Sequence, residues 1–155
     1  GQGSVQRINH LLDDAVGKGA DIVTGGLAEN ALMGPTLVDR VTREMAIYDE
    51  ETFGPVTTIV RVKGAEQALQ VANDTAYGLS SSIFSRDVTR ALEFAGRLDA
   101  GCVHINGATV QNEPQAPYGG MKKSGYGRFD GSAVIEEFTE VKWVTVEPSD
   151  QPYPF

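Results

Sequence analysis

Ile8, Leu11, Leu12 and Ala15 fall at i, i+3, i+4 and i+7, one apolar face of a 3.6-residue period, and predict an amphipathic helix. Gly17 and Gly19 supply its stop signals. Asp21, Ile22, Val23 and Thr24 read as a short strand ending at Gly25-Gly26, and Thr36, Leu37 and Val38 as an extended piece after the Gly34-Pro35 break. The remainder of 27–47 has no decisive period. Residues 56–62, rich in β-branched side chains, predict a strand. Ala65, Ala68, Leu69 and Ala72 then make a small helical face, and 79–84 read as another strand. Val88, Ala91, Leu92, Ala95 and Leu98 predict a second helix of this stretch with Asp87 as its N-cap, and 102–105 a third strand. Strand–helix–strand–helix–strand at this spacing implies right-handed crossovers and a parallel sheet, so the expected class is α/β.

The character changes at 106–131, which holds Gly107, Gly119, Gly120, Gly125, Gly127 and Gly131 together with Pro114 and Pro117. A loop of this length is either functional or disordered. A short helix is expected within 131–139. Alternation of Val141, Trp143 and Thr145 with Lys142, Val144 and Val146 predicts a strand over 141–146. Pro148, Pro152 and Pro154 mark the tail, 148–155, as unstructured.

Composition narrows the classes of function. The chain has 155 residues, enough for one domain of ordinary size, and 41% of them are apolar, which argues against disorder. No stretch approaches the roughly 18 consecutive apolar residues of a membrane span. No signal peptide is read at the start, and a chain that opens on Gly1 reads as a cut or processed product. A net charge of -8, with no basic patch, repels phosphate backbones and excludes nucleic acid as the expected partner. A lone cysteine fits a reducing compartment, and a cytoplasmic location is expected.

Candidate chemistry is sparse. Cys102 lies inside an apolar strand without an adjacent cation or helix N-terminus, so a buried, inert role is expected rather than a nucleophile's. His104 shares its strand face, but two ligands do not make a zinc site, and His10 has no partner in sequence. The glycines at 119–127 lack the G-x-G-x-x-G spacing and the flanking strand and helix of a dinucleotide fingerprint, so they read as a turn-rich loop. Asp49, Glu50 and Glu51 alone would be a solvated acidic turn. The Thr52-Phe53-Gly54-Pro55-Val56 that follows sets an aromatic and a Gly-Pro break before a buried strand, and a carboxylate and a ring at the mouth of a parallel sheet are well placed for a ligand.

Several of these segments together, and in order, resemble the aldehyde dehydrogenase family. They are Gly19-Ala20 through Gly25-Gly26, Gly34-Pro35-Thr36, Glu50-Glu51-Thr52-Phe53-Gly54-Pro55-Val56, and Asn73-Asp74-Thr75-Ala76-Tyr77-Gly78-Leu79. After these come Gly101-Cys102-Val103-His104-Ile105-Asn106, Pro117-Tyr118-Gly119-Gly120-Met121-Lys122-Lys123-Ser124-Gly125-Tyr126-Gly127-Arg128, and Thr139-Glu140-Val141-Lys142. The resemblance runs from the first helix to about Glu147 and is to the C-terminal portion of family members. It implies residues 1–140 as part of the catalytic domain, 141–147 as an oligomerisation strand pairing identical subunits, and 148–155 as a tail.

The resemblance also implies a reaction. A cysteine thiolate attacks an aldehyde, hydride passes to NAD or NADP, and a glutamate-activated water releases the acid. In the family the nucleophile, the base, the oxyanion-binding asparagine and the nucleotide-binding domain precede this segment, so the chain alone is expected to be inactive, and Cys102 does not align with the nucleophile. Glu51 matches the glutamate that binds the nicotinamide ribose, and Phe53 the aromatic beside the nicotinamide. Tyr118 matches a position lining the substrate tunnel, and Thr109 and Val110 begin a loop, 109–113, matching its mouth. Arg7 corresponds to a basic residue near the adenine ribose. Phe129 departs from the family, many members of which carry a proton-handling glutamate there. Residues 106–110 and 122–129 look most like the salicylaldehyde, benzaldehyde and vanillin dehydrogenases, which implies an aromatic aldehyde substrate. A succinate-semialdehyde type is the alternative. It would want a cationic clamp for the distal carboxylate, and 109–118 contain no arginine. A non-catalytic assembly module is the reading from another class.

Overall fold

The computed structural model describes residues 1–150 and 152. Helix α1 (Gln2–Gly17) buries Ile8, Leu11, Leu12 and Ala15, the four positions that carry its period. It closes with Ala20 N–H donating to Ala15 O at 2.9 Å and Gly19 N–H to Val16 O at 3.0 Å, the paired bonds of a Schellman turn. That turn delivers the chain into β1 (Asp21–Thr24), which pairs antiparallel with β2 (Thr36–Asp39). Strand β2 in turn pairs parallel with β3 (Val56–Thr58). The α1 face packs on Ala20, Val38, Val41, Met45 and Ile47 to make the main core. Each large apolar side chain removed from water there contributes about 1.5–3 kcal/mol.

One short helix, α2 (Ala46–Asp49), lies in the stretch that has no decisive period. Its start is fixed from α1, because the Asp14 carboxylate accepts from Ala46 N–H at 2.8 Å. Lys18 sits 2.7 Å from the same carboxylate. Lys18, and then the Ala46 N–H, hold the Asp14 carboxyl below its ordinary range. The result is that α2 and the segment leaving it are positioned by α1.

The second half alternates α3 (Ala65–Asn73), β4 (Tyr77–Gly78), β5 (Ser80–Ile83), α4 (Val88–Ala95) and β6 (Cys102–Ile105). Asp87 caps α4, its carboxylate accepting from Arg90 N–H at 3.0 Å. Strands β5 and β6 pair parallel across α4, as the crossover argument requires. Among the described residues one continuous parallel sheet does not form. Instead β1-β2-β3, β5-β6 and an antiparallel pair of β4 with β7 (Met121–Lys122) stand as separate small sheets. Helix α3 therefore carries the chain between sheets. Periodicity sets the type of each element, while the edge a strand meets is set by tertiary packing, and here β3 meets β2.

The expected strand over 56–62 is shorter as a ladder, although Ile59 continues the pairing by donating to Val38 O at 2.8 Å and accepting from Val41 N–H at 3.1 Å. Helix α5 (Ala133–Phe138) fills the expected place. Residues 141–146 make no strand and are exposed along their length. A strand needs an edge to bind, and none of the described residues offers one there. Of the tail, 148–150 and 152 lie outside any helix or strand, and 151 and 153–155 lie outside the described residues. Among the described residues, no helix is long and apolar enough to cross a membrane.

Candidate functional site

The chain leaves α2 at Glu50 with extended backbone and enters a loop, 50–55, that ends at β3. Glu51 is exposed on this loop, and no hydrogen bond or ion pair among the described residues occupies its carboxylate. Phe53 is 81% exposed and sits at φ +42°, a left-handed conformation that a bulky side chain rarely takes. Such a residue costs on the order of 1–3 kcal/mol and persists only where its surroundings over-determine it.

The surroundings do so from three directions. The Arg7 guanidinium donates to Glu51 O at 2.5 Å and, through its other terminal nitrogen, to Thr52 O. Gly54 lies against α1 so closely that a Cβ there would meet Ile8 Cδ1 at 2.4 Å. Thr36 N–H donates to Pro55 O at 2.8 Å, tying the loop's exit to β2. Glu51 also lines a cleft of about 260 Å³ with Tyr77, Leu79, Ser80, Asp99 and Ser124. Its floor is set by Gly78, whose N–H donates to Ser124 Oγ at 3.0 Å.

A second cleft, also about 260 Å³, opens along β6. Cys102 and His104 line it with Gln111, Glu113 and Tyr118. Tyr118 is placed by a bridge to Phe129, in which each N–H donates to the other's carbonyl at 2.7 Å. Directly opposed residues of an antiparallel pair project to one face, so the Tyr118 and Phe129 side chains leave the bridge on the same side. The Phe129 ring lies 6.1 Å from that of Phe138. Gly101 allows this ladder to lie against β6, since a Cβ at Gly101 would fall 1.7 Å from Gly119 O.

The structure thus divides the sequence candidates. Glu51 and Phe53 share one loop, and Tyr118 lines the other cleft. Thr109 and Val110 line neither, and Val110 is 91% exposed in the turn after β6. Cys102 is half-buried at a cleft wall instead of sealed in a core, because the segment facing it across the cleft, from Gln111 to Tyr118, leaves open space between them. His104 Nε2 and Ser80 Oγ are buried without hydrogen-bond partners. Among the described residues no group of three His, Cys, Asp or Glu could hold a metal ion. Sequence reasoning missed the Arg7 clamp and the role of Ser124. Neither carries a local signal, since Arg7 acts across 44 residues and Ser124 across 46.

An exposed carboxylate and a strained ring on a braced loop, followed by a glycine-rich ladder against a parallel β–α–β unit, belong to a fold of mixed α/β class. The chain belongs to the aldehyde dehydrogenase family, whose model matches residues 1–144. It is 60% identical over 152 residues to a salicylaldehyde dehydrogenase of Pseudomonas putida, covering 98% of this chain and 32% of that protein. The crystal structure of a salicylaldehyde dehydrogenase from Pseudomonas putida G7 complexed with salicylaldehyde superposes with a TM-score of 0.94 at 59% identity, over 98% of this chain and 31% of that one. A Mycobacterium tuberculosis aldehyde dehydrogenase complexed with NAD+ superposes with a TM-score of 0.82 at 32% identity, over 90% of this chain and 30% of that one. The chain spans about a third of the length of these relatives.

Proposed function

We propose that this chain is the C-terminal part of the catalytic domain of an enzyme that oxidises an aldehyde, of aromatic type, to its acid with NAD or NADP. The observation that carries the reading is the 50–55 loop, where an exposed carboxylate and an exposed ring are braced in a strained conformation. A carboxylate is acceptor-only and can take both vicinal hydroxyls of a ribose, and the open setting of Glu51 fits that use. Phe53, exposed and fixed, fits a ring beside the nicotinamide. The cofactor, when bound, supplies the hydride acceptor.

Aromatic substrate preference is supported by Tyr118 in the wall of the second cleft with Phe129 bridged to its backbone, by the absence of arginine from 109–118, and by the salicylaldehyde dehydrogenases among the relatives. Thr109 and Val110 belong, on this reading, to the rim of the substrate path. The nucleophilic cysteine and the base come from the rest of the enzyme. Cys102 is a wall residue, and this chain alone turns over no aldehyde. The apolar residues of 141–146 then join identical subunits.

The test is Glu51→Gln in the enzyme that carries this chain, assayed for NADH formation with salicylaldehyde. The lost charge-assisted bond should cost about 1.5–3 kcal/mol in cofactor binding or ring positioning. Stability should move by no more than about half a kcal/mol. Unchanged kinetics with a large fall in melting temperature would make Glu51 structural and sink the reading.

A further inference from the structure

We infer that Arg7 is a positioning residue for cofactor binding, acting by holding the Glu51–Phe53 backbone in its strained form. The inference rests on the reading of Glu51 and Phe53 given above. Its core is the particular pair of carbonyls that Arg7 grips. Glu51 O and Thr52 O belong to consecutive peptide planes, and both accept from the terminal nitrogens of one guanidinium. The Thr52 carbonyl lies in the peptide plane whose N–Cα bond defines φ of Phe53. Rotating that plane is the direct way for Phe53 to leave φ +42° for the ordinary negative region. With Thr52 O held by a cation, the rotation would break a charge-assisted hydrogen bond.

The rest of the loop cannot substitute for this contact. Gly54 abuts Ile8, and Pro55 O is bound by Thr36 N–H, but both lie after Phe53 in the chain. Among the described residues, Arg7 alone bonds the two carbonyls directly before it, those of Glu51 and Thr52. Arginine suits the task because its planar fork spans two acceptors at once, whereas an ammonium is a point donor on a flexible stem. Ile8, the next residue, is buried in the core, so the base of the Arg7 side chain is anchored by α1. The chemistry at the site is thereby linked to the packing of the first helix. This role is additional to the place near the adenine ribose that resemblance implies for Arg7, since each terminal nitrogen holds the loop with one N–H and keeps a second.

The experiment has two arms. In this chain, hydrogen exchange of the peptide covering 50–56 is compared among wild type, Arg7→Ala and Arg7→Lys. In the enzyme that carries the chain, KM for cofactor and for aldehyde is measured for the same variants, with Glu51→Gln alongside. Leu12→Val, in the core and away from the loop, serves as a control for general loss of stability. Arg7→Ala is expected to speed exchange in 50–56 and to raise the cofactor KM, each by about tenfold, with the aldehyde KM within about twofold. Arg7→Lys should fall between it and wild type. Unchanged exchange in 50–56 overturns the inference, as does an equal rise in cofactor KM in Leu12→Val. If Arg7→Ala frees the loop while neither it nor Glu51→Gln moves the cofactor KM, the reading of Glu51 fails, and the inference fails with it. If Glu51→Gln raises the cofactor KM and Arg7→Ala does not, the reading of Glu51 stands and Arg7 is no positioning residue.

Discussion

Gly101 to alanine is a perturbation whose size follows from the structure. Gly101 immediately precedes β6, and a Cβ added there would lie 1.7 Å from Gly119 O, 2.7 Å from Gly119 C and 3.2 Å from Gly120 Cα. Real Cβ atoms essentially never approach closer than 3.0 Å, so the two backbones must part by about 1.3 Å. All three obstructing atoms are main chain, so no rotamer change relieves the clash. Overpacking of this kind costs about 1–3 kcal/mol, and a backbone-on-backbone case belongs at the upper end. For a chain of this size, each kcal/mol lowers the melting temperature by about 2–4 °C. Gly119 adjoins Tyr118, so the displacement also draws the Tyr118–Phe129 ladder away from the wall formed by Cys102 and His104. The assay is urea unfolding of the chain with Gly96→Ala beside it. Gly96 follows α4 at φ -65°, and a Cβ there meets nothing closer than 3.7 Å. Gly96→Ala should therefore be neutral or stabilising by up to about 1 kcal/mol. If Gly101→Ala unfolds at the same urea concentration as wild type, the close approach of β6 to 119–120 is wrong, and so is the second cleft as described.

Asp87→Ala removes the cap on Arg90 N–H and should destabilise α4 by about 1 kcal/mol, read as a shift in the urea midpoint. The Asp39 carboxylate, gripped by Arg61 with Nε at 3.0 Å and 3.2 Å from its two oxygens, is held below its ordinary 3.8, chiefly by that hydrogen bonding. The stability this gives is present above pH 3.8 and is lost as pH falls through the lowered value; Asp39→Asn should flatten that part of an acid titration. Ending the chain at Glu140 removes exposed Val141, Trp143, Val144 and Val146. The intact chain should sediment as a dimer at tens of micromolar and the shortened one as a monomer. If both sediment as monomers, 141–146 is not an assembly element of this chain.

Local physics explains what was legible in the sequence. The α1 face, the span of β1, the Asp87 cap and the parallel β5-α4-β6 unit each follow from contacts within a short stretch of chain, where side-chain period and turn chemistry leave few alternatives. The Glu51–Phe53 segment was legible as a candidate for the same reason, since an acidic turn running into an aromatic and a Gly-Pro break is a local feature. What holds that segment was not legible. Arg7 looks like any exposed cation on the polar side of a helix until the fold brings it 44 residues along the chain to two carbonyls. The partition into three small sheets, the half-exposed setting of Cys102 and the position of Val110 outside both clefts are likewise decided by which surfaces meet. Residues 141–146 show the limit most plainly. Their alternation predicts a strand, but a strand's hydrogen bonds belong to two segments, and only tertiary or quaternary structure can supply the second.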